Sequence, residues 1–139
     1  MDATTEHNLR QKGRAMARAT MAFMRYLAMQ LWGDIIEQAP VDHGRLSGSF
    51  SLSQRGALYW EIRSGVEYLR AVHEGTGPRM IEPVNKKALR FVVDGNVIFA
   101  KRVMHPGTRA NPFIDRAIQN TEGMVETLLG QALREEGLA

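Results

Sequence analysis

The residues able to do chemistry are few. The chain has four histidines, His7, His43, His73 and His105, and no cysteine. Asp42 precedes His43 and Glu74 follows His73, and imidazole with carboxylate is the donor set of many metal and hydrolytic sites. The spacing argues against that use. No H-x-x-x-H or H-E-x-x-H run occurs, and each histidine falls in a separate segment, so turn hydrogen bonds or solvent are the expected surroundings. A hydrolase would have to be assembled from His73, Glu74 and His105. There is no G-x-S-x-G elbow, and Ser47, Ser49, Ser51 and Ser53 read as the wet face of a strand. "EGTGPR" (Glu74–Arg79) has glycines but lacks the Lys and Ser/Thr of a phosphate loop. The expectation is a protein that is not an enzyme and holds no metal or cofactor.

Charge is more informative. The net charge is +3 over 139 residues, but it is unevenly spread. Residues 1–33 carry five basic and two acidic groups, and residues 112–139 carry two basic and five acidic. The two ends therefore complement each other. Residues 79–109 carry seven basic and two acidic groups, a surface for nucleic acid or for acidic protein. No DNA- or RNA-binding motif accompanies them. No apolar run approaches the roughly 20 residues that span a bilayer, and "MDATTEHNLRQKGR" lacks the apolar core of a secretory signal.

The elements that must position these groups follow from periodicity. At this length one domain, 1–139, is expected, with residues 1–8 loose. From Leu9 to about Gln38, Met16, Thr20, Phe23, Leu27, Leu31 and Ile35 recur at three- and four-residue steps, which predicts a long helix. Arg10, Arg14, Arg18 and Arg25 line one stripe of it. "APVDHG" breaks that helix at Pro40. Leu46, Gly48, Phe50 and Leu52 alternate with serines as a first strand, and "LYWEIRS" returns as a second. Val66–His73 fits a short helix or an edge strand, and residues 74–88 read as a long loop excursion. "ALRFVVDGNVIFAKRV" is a hairpin whose Asp94-Gly95 suits a type I′ turn, facing Val93 to Asn96, Phe91 to Ile98 and Leu89 to Ala100. "HPGTRANPFI" (His105–Ile114) then leads into a final helix, with Asn111 as N-cap and Pro112 at the first position. Ile114, Ala117, Ile118, Thr121, Val125, Leu128, Leu129 and Ala132 form its apolar face, and Gly123 and Gly130 lie within it. The fold class is α+β: an antiparallel sheet of about four strands packed against a long N-terminal helix and a C-terminal helix.

Four segments occur in order: "APVDHGRLSGSF" (39–50), "GVEYLRAVHEGTGP" (65–78), "ALRFVVDGNVIFAKRVMHPGT" (88–108) and "NPFIDRAI" (111–118). Together they resemble the neck or tail-completion proteins, also called minor tail components, of long-tailed bacteriophages. The likeness spans roughly residues 35–120. It departs at His43, where threonine is more usual, at His73, which precedes the glutamate of "HEGTGP", and at Leu69, where a small residue is common.

The resemblance implies a structural virion protein, made in the bacterial cytoplasm, that forms a ring of six-fold symmetry between head and tail. Its implied partners are its own copies and head-closure, tail-terminator or tail-tube proteins, with a channel for genome passage and no membrane. The residues expected at subunit interfaces are Arg14, Arg18, Arg25, Asp42, Glu74, Thr76, His105, Thr108, Arg109 and Phe113. Arg79, Lys86, Lys87, Lys101 and Arg102 are the candidates to face packaged DNA. The alternative is a nucleic-acid-binding protein that uses the same basic helix and loop residues. "EGTGP" and "HPGT" are expected to pack together, since both end sheet elements.

Overall fold

Helix α1 (Ala3–Gln38) starts at a cap rather than at the apolar repeat. The Asp2 carboxylate accepts the Thr5 N–H at 2.7 Å, satisfying one of the donors a helix start leaves open. The helix therefore begins six residues before Leu9. The computed structural model describes residues 2–41, 44–82, 89–100 and 102–139; Asp42, His43, Lys86, Lys87 and Lys101 lie outside them. The described chain forms two compact units, residues 1–67 with 113–139, and residues 68–112.

The first unit is built on α1. A helical turn, α2 (Gly44–Ser47), leads to a short antiparallel pair, β1 (Ser51–Gln54) and β2 (Trp60–Arg63), in register Ser51↔Arg63 to Gln54↔Trp60. The strand expected to begin near Leu46 starts later for a local reason. Ser47 Oγ donates to the Gly44 carbonyl at 3.0 Å and Ser49 Oγ to the Leu46 carbonyl at 2.6 Å. Serines bonded to their own backbone favour a turn over a ladder. Leu46 and Phe50 are still buried. The indole N–H of Trp32 donates to the Phe50 carbonyl at 3.0 Å, tying α1 to the entry of β1.

The final helix is two helices, α4 (Phe113–Glu122) and α5 (Val125–Glu135). At the break the Gly123 N–H still reaches Gln119, but the Met124 N–H takes the Thr121 carbonyl at 2.9 Å, a tighter i−3 bond. Glycine inside a helix weakens it, and here the helix ends there. Both helices pack on α1 and turn Phe113, Ala117, Thr121, Leu128 and Ala132 inward. Phe113 meets Phe50 edge-on at 6.0 Å between ring centres.

The second unit holds α3 (Leu69–Glu74), the helical one of the two expected forms, and two further ribbons. β4 (Leu89–Val93) pairs with β5 (Asn96–Ala100) in the expected register, with Val93 opposite Asn96. Asp94 and Gly95 both have positive φ, 50° and 79°, as a type I′ turn requires. β3 (Arg79–Ile81) pairs with β6 (Val103–His105).

The α+β class holds, but the strands differ from one sheet of about four. Among the described residues six strands make three two-stranded antiparallel ribbons. The described part of the excursion, residues 74–82, contains a strand where its sequence reads as loop. Its "RMI" is a strand only because β6 supplies a partner, and three residues are too few to display an alternation. No described helix is long and apolar enough to cross a membrane.

Candidate functional site

The two turn-rich segments expected to lie together do so. Thr76 N–H donates to the Thr108 carbonyl at 2.9 Å, and Thr108 N–H donates back to the Thr76 carbonyl at 3.0 Å. The Thr108 N–H also reaches Thr76 Oγ1 at 3.0 Å. Next to this bridge, β3 and β6 continue the pairing as Arg79↔His105 and Met80↔Met104, and the Asn111 N–H donates to the Val72 carbonyl at 3.0 Å. "HEGTGPR" and "HPGTRAN" are thus laced into one clamp.

The glycines set how tight it is. Gly75 has φ 77° and ψ 173°, a region essentially reserved for glycine, and an added Cβ would lie 2.7 Å from Ala110 N and Thr108 O. Gly107 has φ 93°, and its Cβ would lie 2.3 Å from the Thr76 carbonyl. His105 completes the turn: its Nδ1 accepts the Gly107 N–H at 3.0 Å. One of the two ring nitrogens of His105 is therefore committed to shaping the loop. Glu74 likewise bonds Arg70 one helical turn away, at 3.0 Å. Among the described residues no group of three or more His, Asp or Glu could hold a metal ion.

Of the other expected interface residues, Thr76, Thr108 and Arg109 belong to this clamp region, and Arg109 is exposed. The arginines of α1 lie in the first unit. Arg14 is exposed. Arg18 pairs with Glu136 at 2.9 Å, and Arg25 stacks over the Tyr26 ring at 5.3 Å. Tyr26 in turn donates from its hydroxyl to Glu135. Part of the charge complementarity between the chain's ends is therefore used inside one molecule. Among the candidate DNA-facing groups, Arg79 is exposed, while Arg102 pairs with Glu82 at 3.1 Å.

Phe113 is a correction. Expected at a subunit interface, it is 0% exposed and sits in the core of its own chain against Phe50. An aromatic ring at the start of an amphipathic helix has the same sequence signature whether it faces a neighbour or the core.

Sequence reading missed a buried polar joint. Asp34, 8% exposed, accepts from Thr121 Oγ1 at 2.8 Å and from Gln30 Nε2 at 3.1 and 3.2 Å. This ties the last turns of α1 to α4. A signal was available: an acidic residue near a helix C-terminus opposes the dipole, and Asp34 interrupts an apolar run.

Comparison with protein-family models, with curated proteins and with solved structures gives no match.

Proposed function

We propose that the chain is a structural subunit of the neck or tail end of a long-tailed bacteriophage, forming a ring that completes the tail and joins it to the head. The observation that carries this reading is the Thr76–Thr108 clamp. It joins two of the four segments on which the resemblance rests, and it is built from fixed backbone rather than from reactive groups. A loop already held in shape loses little freedom when it docks. Exposed Arg109 beside the clamp can form a bidentate pair with a neighbouring carboxylate.

The partners on this reading are other copies in a six-fold ring and the head-closure, tail-terminator or tail-tube proteins above and below. The place of action is the virion. The second unit carries eight basic and three acidic side chains, so phosphate contact with passing DNA is a secondary role. Such contact weakens steeply with added salt and carries no sequence preference.

The test is removal of the coding sequence from the phage or prophage that carries it. Full heads and tails that fail to join are expected, and negative-stain images of the purified protein should show discrete rings. Particles that lack the chain and still join head to tail would overturn the reading, as would catalytic turnover by the pure protein.

A further inference from the structure

Every residue of α1 from Ala3 to Arg14 is exposed, and burial by the chain's own packing begins at Ala15 and Ala19. About three helical turns are therefore exposed, the last of them lining a hollow with the chain's own Glu136, Gly137 and Leu138. An isolated helix of that length is marginal in water, and this one is not polar on all sides. Leu9 and Met16, 52% and 51% exposed, continue the apolar steps of Phe23 and Leu27 by three- and four-residue spacing. Lys12 and Gly13 lie between them on the same face. An added Cβ at Gly13 would meet nothing of this chain within 4 Å, so no internal contact accounts for a glycine there.

A matching surface exists elsewhere on the first unit. On the outer flank of α4, Asp115, Ile118 and Glu122 recur at i, i+3 and i+7; on α5, Glu126, Leu129 and Leu133 do the same. Ile118 and Leu129 are 40% and 39% exposed. Among the described residues Glu122 and Glu126 form no ion pair. Each helix thus carries carboxylates and partly exposed aliphatic side chains along one row. The exposed start of α1 alternates aliphatic side chains with Lys12, beside Arg10 and Arg14.

We infer that the exposed start of α1 in one copy docks on the outer flank of α4 and α5 in the next, with Leu9 and Met16 against Ile118 and Leu129, and Lys12 toward Glu122 and Glu126. Two different surfaces of one chain meet, which is the heterologous geometry that closes into a ring. Gly13 lets the two helices approach closely. The inference rests on the ring reading above and names its contact.

Gly13→Ala separates this role from folding. The substitution favours the helix itself, so the unassembled chain should melt at a higher temperature. Ring assembly should weaken by about tenfold through overpacking of a close contact. The chain has no cysteine, so Leu9→Cys and Ile118→Cys can be made as two single-thiol variants, mixed, and treated with a short bis-maleimide. The expected product is a dimer joining one variant to the other. If Gly13→Ala assembles as well as the native chain, or the mixture gives no such dimer although rings form, the contact is wrong and the ring reading stands. Failure of the native chain to self-associate also overturns the contact. Head–tail joining in particles that lack the chain overturns the ring reading instead.

Discussion

Thr76 and Thr108 stand 32 residues apart in sequence and exchange both backbone hydrogen bonds, at 2.9 and 3.0 Å. Everything between them is a closed excursion. β3 leaves the bridge, β4 and β5 form a hairpin, and β6 returns. Loop-closure entropy rises only slowly with length, so one well-made bridge backed by the three pairs of β3 and β6 is enough to close it.

The bridge depends on Gly107. Gly107→Ala adds a methyl 2.3 Å from the Thr76 carbonyl at a φ of 93°. The backbone must shift, and strain of this kind costs about 1–3 kcal/mol. The expected result is faster hydrogen exchange at the Thr76 and Thr108 amides and easier proteolysis within residues 76–108. Unchanged protection at both amides would contradict the role given to the clamp.

The joint between α1 and α4 is tested by Thr121→Val. The substitution keeps shape but removes the hydroxyl that donates to Asp34 at 2.8 Å. Gln30 remains as a donor, yet the buried carboxylate loses its shortest bond. A loss of about 1–3 kcal/mol in urea-unfolding free energy is expected. Pairing Thr121→Val with Asp34→Asn should cost less than the sum of the single changes, because both act on the same bond.

Phe113→Ala tests the correction from interface to core. Truncating a fully buried phenylalanine costs about 3–5 kcal/mol, a large part of a small domain's stability. The expected signs are a lower melting temperature and a disturbed near-ultraviolet signal in the unassembled chain. A variant that folds like the native chain but fails only in assembly would place Phe113 back at an interface.

The parts of this fold that were legible in the sequence are those specified by neighbours. The Asp94-Gly95 turn fixed the register of its hairpin, and the three- and four-residue steps from Met16 to Ile35 marked α1. What was hidden depends on partners distant in the chain or on single atoms. "RMI" becomes a strand only against Val103–His105. Ser47 and Ser49 mimic strand alternation while bonding their own turn. Gly123 reads as a tolerated interruption until Met124 switches its bond to Thr121. In the candidate site, the adjacency of "EGTGP" and "HPGT" was foreseeable from their places at the ends of sheet elements. The burial of Phe113 was not, since the facing Phe50 comes from a segment more than sixty residues earlier.

The contact between α1 and the end of α5 should make stability depend on pH at both extremes. Tyr26 donates its hydroxyl to Glu135. That bond, with a second from Gln131, holds the Glu135 carboxyl below the usual carboxylate range. The same bond, more than burial, raises the Tyr26 hydroxyl above the ordinary phenol value. A carboxyl depressed in the folded chain stabilises it at neutral pH and loses that contribution as pH falls through the depressed value. A phenol raised in the folded chain stabilises it below the ordinary phenol range and loses that contribution as pH climbs through the raised value. Tyr26→Phe removes the phenol effect and the larger share of the carboxyl effect, leaves the Gln131 bond to Glu135, and keeps the ring over which Arg25 stacks. The melting-temperature gap between native chain and variant should be steady through neutral pH and narrow toward acid and toward alkali. Parallel curves across the whole range would mean that the hydrogen bond contributes nothing to holding α5 on α1.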